Sequence, residues 1–171
     1  MSGDVGYVCS GCGERHDELP MHYGSGAPAY WSDAVAEHPE SELTSDQCVI
    51  EGAHFFVKGL VEIPVVGGGV FSWAVWVSLS PQNFVRMGEL WETPGREQAE
   101  PYFGWLASEL YLYERPTLNL KTNVHTRPVG ERPFVQLEPT DHPLAVEQRS
   151  GITRERVQWF AEQILHAEGG R

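Results

Sequence analysis

The chain has 171 residues, of which 41% are hydrophobic, and a formal net charge of −12. That is enough for one domain with its own core. No apolar run approaches the ~18 residues of a membrane span, so no membrane contact is expected. The charge is uneven: residues 1–63 carry eleven Asp and Glu against Arg15 and Lys58, a net of −9, and the remainder carries −3. Nucleic-acid binding needs a basic footprint over the phosphates and is therefore excluded, whereas a basic protein partner suits this balance.

Three cysteines, an odd and small set, argue against a disulfide scaffold. The first residues, Met-Ser-Gly-Asp-Val-Gly, have neither the basic nor the apolar segment of a secretory signal, so the expected location is cytoplasmic. The whole of 1–171 is read as one domain. Residues 1–45 form a knuckle and a long loop, 46–140 a sheet with short helices, and 141–171 the C-terminal helices.

In chain order, residues 5–8 suit a short strand leading into Cys9-Ser10-Gly11-Cys12-Gly13-Glu14-Arg15-His16. A C-x2-C pair on a tight turn presents two thiolates to one tetrahedral metal, and zinc takes such N/S sets. Gly13 suits a turn that needs a positive φ. His16 can add an imidazole, and the remaining cysteine, Cys48, is the expected fourth ligand, with His22 and His54 as rival nitrogen donors. The expected metal set is thus Cys9, Cys12, His16 and Cys48 around a structural zinc. A catalytic zinc would use three of these, with a water beside Glu14, Asp17 or Glu18 as base.

Residues 17–45 contain Pro20, Pro28 and Pro39 and little apolar periodicity, so they read as loop with a short helix near 29–37. A loop of this length calls for something that pins it, and a metal tying its start to Cys48 would do so. Strands are expected from Cys48, over 54–63 and over 71–80, joined as an antiparallel meander. In the last, Phe71, Trp73, Val75, Val77 and Leu79 alternate with Ser72, Ala74, Ser78 and Ser80, and Trp76 is a large aromatic on the small-residue face. Ser80-Pro81 starts a helix running to about Leu90. Residues 92–101 read as loop, 103–110 as a short helix, and 118–125 and 132–138 as strands. Asp141-His142-Pro143 caps one helix, broken at Ser150-Gly151. Thr153 caps a second, in which Val157, Phe160, Ala161, Ile164 and Leu165 form one apolar stripe that should lie across the sheet.

Competing chemistry is weaker. A thioredoxin-like C-x-x-C opens a helix, and Gly-Glu-Arg-His-Asp-Glu-Leu-Pro starts one poorly. His38-Pro39-Glu40 matches the H-x-E of zinc deaminases only formally, because their P-C-x-x-C lies downstream. Asn119, Lys121, Asn123 and His125 share a strand face that could line a site. No P-loop, G-x-S-x-G or H-E-x-x-H occurs.

The chain resembles a bacterial family designated domain of unknown function 2199. The landmarks are Cys9-x-x-Cys12-Gly13-x-x-His16-x-x-x-Pro20, Ser45-Asp46-Gln47-Cys48, Phe56-Val57-Lys58-Gly59, Glu62-Ile63-Pro64, Phe71 through Ser80, and Asp141-His142-Pro143-Leu144. The resemblance implies no activity, the family being uncharacterised. The expected fold is α+β: an antiparallel sheet flanked by helices, with a zinc-knuckle-like turn at its N-terminal edge. The expected function is a non-enzymatic protein-interaction or regulatory module with an acidic face. The rival is a small metal-dependent hydrolase, or another enzyme, with its pocket between the sheet and loop 17–45.

Overall fold

Val70–Leu79 is buried on both faces, and the architecture follows from that. Phe71, Trp73, Val75, Val77 and Leu79 point to one side and enter the main core, while Trp76 points to the other and is 0% exposed. The computed structural model describes residues 6–10 and 12–169, with side chains as far as His166. Val5, part of the strand expected over 5–8, lies outside the described residues, as does Gly11.

The chain begins with a small hairpin of β1 (Tyr7–Val8) and β2 (Arg15–His16), paired Tyr7 to His16 and Val8 to Arg15. β3 (His22–Gly24), α1 (Asp33–Ala36) and β4 (Glu42–Leu43) follow within the region expected to be mostly loop. β5 (Gln47–Ile50), β6 (His54–Pro64) and β7 (Val70–Leu79) form the expected antiparallel meander, β6 and β7 pairing from Phe55–Leu79 to Pro64–Val70. α2 (Pro81–Glu89) is capped by the Ser80 hydroxyl, which accepts from the Asn83 amide. β8 (Tyr102–Leu106), β9 (Lys121–His125) and β10 (Phe134–Leu137) complete the sheet. α3 (Pro143–Ser150) and α4 (Arg154–Gly169) are the C-terminal helices, with Thr153 capping α4 through the Arg156 amide.

The α+β class holds, with four α-helices among the described residues, but the sheet is not an open one flanked by helices. β6, β7, β8, β9 and β10 close into a five-stranded barrel, because β10 pairs in parallel with β6, Phe134 opposite Leu60. β3 extends the sheet from β7, and β5 and β4 extend it from β6. So tight a ring needs missing side chains on its inner wall. Gly59 and Gly104 supply them. A Cβ on Gly59 would stand 2.6 Å from Val135 Cγ2, and one on Gly104 would stand 2.3 Å from Val77 Cγ1.

Residues 102–106 form a strand where a helix over 103–110 is expected from the sequence. Tyr102, Gly104 and Leu106 face inward and Phe103 and Trp105 outward, a period of two that short length and mixed aromatics conceal. α4 packs as its apolar stripe requires: Phe160 lies 5.1 Å from the ring of Phe71 and 5.0 Å from that of Trp73. Across the sheet, Trp76 packs with Cys48, Ile50, Phe56 and Ala107 and collects Trp31, Val35 and Leu43 from the N-terminal loop. Its indole donates to the Ser25 carbonyl at 3.1 Å, and the Ala29 amide donates to the Ala107 carbonyl at 2.8 Å. The loop is thus pinned by an aromatic anchor and by pairing of β3 with β7.

Replacing Gly104 with Ala should lower stability by about 2 kcal/mol, the scale of overpacking in a filled core. Urea titration of the variant checks this, and an unchanged midpoint would contradict closure by close approach at Gly104.

Candidate metal centre

The N-terminal hairpin sets its cysteines by backbone geometry. The Gly13 amide donates to the Cys9 carbonyl and the Cys9 amide to the Glu14 carbonyl, both at 2.8 Å. Gly13 takes φ +74°, the left-handed conformation its position calls for. Cys9 is buried at the edge of the main core, and Cys12 is exposed.

Helix α4 docks on this hairpin through side chains spaced four apart. Arg154 donates to the Gly6 carbonyl at 3.0 Å, and Gln158 donates to the Val8 carbonyl at 2.9 Å. Glu162 accepts from the Ser10 amide at 3.1 Å and from the Ser10 hydroxyl. His166 meets Cys9, Nε2 to Sγ 3.1 Å. Residues four apart lie on one helix face, so one row of polar side chains reads the turn from end to end. The hydrogen bonds from Ser10, then that from Gln158, hold the Glu162 carboxyl below its ordinary value.

Two groups of possible metal ligands result, Cys9–Cys12–His166 and Cys12–Glu14–His16, with the ligand atoms of each group within 4.8 Å of one another. They share Cys12. His16 stacks on Tyr7, ring centroids 5.0 Å apart, and its Nε2 is buried with no hydrogen-bond partner. A buried imidazole nitrogen without a partner is uncommon, and a cation would satisfy it. The donor set fits a metal of the zinc type, since thiolate sulfur and imidazole nitrogen are the donors zinc takes in closed tetrahedral sites. At the Cys12 thiol the Glu14 amide pulls downward, but the Cys9 thiol, desolvation and the Glu14 charge together leave the group raised.

A family model described as Uncharacterized protein conserved in bacteria (DUF2199) matches residues 8–152. The chain belongs to that family. No curated protein and no solved structure matches it. The DUF2199 match contains Cys9, Cys12, His16 and Cys48 and ends before α4, so Glu162 and His166 lie outside it. No helix among the described residues is long and apolar enough to cross a membrane.

Of the ligands expected from sequence, Cys12 lies with Cys9 in one group and with His16 in the other, and His166 joins the first. Cys48 belongs to neither group. It lies in the apolar cluster around Trp76, across the sheet from the core that holds Cys9, and burial pushes its thiol up to about 11. It therefore stays a neutral, apolar-packed thiol at ordinary pH. His22 bonds Ser72, Nδ1 to Oγ 2.6 Å, and exposed His54 lines a separate cleft. His142 is the N-cap of α3, accepting from the Leu144 amide at 3.1 Å, and Asp141 pairs with Arg115 at 3.2 Å. His166 was missed because it lies some 150 residues from Cys9. The available signal was the row Arg154, Gln158, Glu162, His166 beside the apolar stripe of α4.

The raised Cys48 thiol has a pH consequence. Its folded value lies above the ordinary 9.0, so its stabilising contribution is complete below pH 9 and is lost as pH rises toward about 11. Replacing Cys48 with Ala should flatten the fall in stability over that interval relative to wild type in denaturant titrations. Identical slopes would show that the thiol is not held neutral by burial.

Proposed function

We propose that Cys9, Cys12 and His166, completed by His16, hold a structural zinc ion that clamps the N-terminal hairpin to α4. The observation that carries this reading is the convergence of Cys9, Cys12 and His166 from opposite ends of the chain. Ligand atoms of a tetrahedral zinc site stand roughly 3.5–3.8 Å apart, between the 3.1 Å of the Cys9–His166 contact and the 4.8 Å limit of the groups. Cys9, Cys12 and His166 therefore need only small side-chain adjustments, whereas His16, grouped with Cys12 but not with Cys9 and His166, has further to move. His16 is preferred to Glu14 as fourth ligand for its unpartnered nitrogen and its affinity for a thiolate-bound zinc.

Around this clamp we read a cytoplasmic, non-enzymatic interaction or regulatory module. Asp17, Glu18, Asp33, Glu37, Glu40 and Glu42 are all exposed on the N-terminal segment, a surface suited to a basic protein partner. Electrostatic steering makes such an encounter faster at low salt.

A second reading, metal-dependent hydrolysis, is favoured by one feature. A shallow groove of about 620 Å³ beside the cluster is lined by Tyr7, His16, Asp17 and Glu18. If His16 were not a ligand, Asp17 and Glu18 on this groove would be the carboxylates at hand to act as base on a metal-bound water. Coordination number separates the two readings.

Metal analysis of the purified protein should find one equivalent of zinc, retained in Cys48→Ser and lost in Cys9→Ser and Cys12→Ser. His166→Ala should bind zinc at least about tenfold more weakly, with faster hydrogen exchange in α4. X-ray absorption should give two sulfur and two nitrogen neighbours. A protein that purifies metal-free and takes up no zinc would refute the clamp, and an oxygen neighbour in place of one nitrogen would favour hydrolysis.

A further inference from the structure

A second concavity, sharing no residue with the Cys/His groups, lies on the outer face of the barrel. It encloses about 770 Å³ between the turn joining β5 to β6, the loop at Tyr30 and the outer sides of β7 and β8. This is the size of a small-molecule site. Tyr30 and Trp105 form its half-exposed walls, 46% and 42% accessible, and buried Phe56 lies 6.1 Å from the Tyr30 ring. A Tyr and a Trp left this open at a cleft of this size are suited to contact a ligand.

The backbone marks the same place. Among the described residues, Glu51 and Asn119 are the non-glycine residues with φ in the left-handed region, at +54° and +67°, and both line this cleft. Asn enters that region readily, whereas Glu does so against the clash of its Cβ. Glu51 and Gly52, at φ +54° and +66°, form the kind of tight hairpin turn that ordinarily takes Asn-Gly or Asp-Gly. A strained residue at a cleft points to a use for its side chain. That side chain is a carboxylate. The Tyr30 hydroxyl donates to Asn119 Oδ1 at 3.2 Å, which ties the second strained residue to an aromatic wall.

The charge decides the ligand class. Glu51 is the one carboxylate in the lining, beside the His54 imidazole and the Tyr30 phenol, and the lining contains neither Lys nor Arg. Lys121, outside the lining, places its ammonium 6.0 Å from the Trp105 ring centroid, so a bound cation takes the place of that ammonium on the indole or uses its other face. Anions meet a carboxylate in a strongly acidic protein and are disfavoured. We infer that the cleft between Tyr30 and Trp105 binds a small organic ammonium ion, held by the two aromatic faces and the Glu51 carboxylate. This goes beyond the metal clamp and does not rest on it.

Choline and benzyltrimethylammonium, each titrated into the full-length protein and followed by amide and indole NMR shifts, test the inference. 3,3-Dimethylbutan-1-ol, the uncharged isostere of choline, is the control. Saturable shifts should centre on Trp105, Asn119 and Glu51, and the isostere should bind at least about tenfold more weakly than choline, as expected where cation contacts dominate. Glu51→Gly removes the carboxylate and relieves the strained φ. It should keep or raise the thermal midpoint while weakening choline roughly fivefold, so that lost binding cannot be ascribed to unfolding. No saturable shifts with either cation, equal binding of the isostere, or undiminished binding by Glu51→Gly would each overturn it.

Discussion

The structure depends on burial of β7 on both faces. Its odd-numbered side chains fill the barrel, and Trp73 among them meets Phe160 and receives α4. Its even-numbered Trp76 is sealed on the other face by the N-terminal loop. A fully buried tryptophan contributes several kcal/mol when removed to Ala, on the order of 3–5. Each side of one strand therefore positions one candidate site. The Trp73 side places α4 and, through it, His166 at the hairpin; the Trp76 side places the loop and, through it, Tyr30 at the cleft.

The polar row on α4 converts that packing into specificity. The apolar stripe fixes only that the helix lies against the core; it would tolerate a rotation or a slide. Arg154, Gln158, Glu162 and His166 each contact a different point between Gly6 and Ser10, and together they specify one register. These contacts hold α4 against the hairpin before any ion is considered. A zinc ion bound there would close a link between residues 9 and 166, the kind of long loop whose closure constrains the unfolded chain most.

Much was legible in the sequence. The meander over β5–β7, the Ser80-Pro81 helix start, the His142 and Thr153 caps and the apolar stripe of α4 are local patterns, set by neighbours within a few residues. Gly13 with its positive φ and the pairing of Cys9 with Cys12 are likewise local. The strand at 102–106 was concealed because five residues are too few to separate periods of two and 3.6 when Phe103 and Trp105 put aromatics on the outer face as well. The family resemblance is also a local matter, carried by short motifs that fall inside the matched span 8–152.

By itself the sequence determined the acidic character, the α+β class, the elements with strong periodicity and the Cys9-x-x-Cys12 turn that could hold a metal. Tertiary structure alone decided barrel closure, the role of Cys48 and the partner of the hairpin. The parallel pairing of β10 with β6 joins residues more than seventy apart, and no local pattern encodes which sheet edges meet. Cys48 reads as a ligand because it is the remaining cysteine, yet its cross-strand partner is Phe56 and it packs in the cluster with Trp76, which makes it core. His166 is silent in sequence because its place beside Cys9 and Cys12 is defined by where its nitrogen arrives. That is fixed by the packing of Phe160 on Trp73 and by the register of α4.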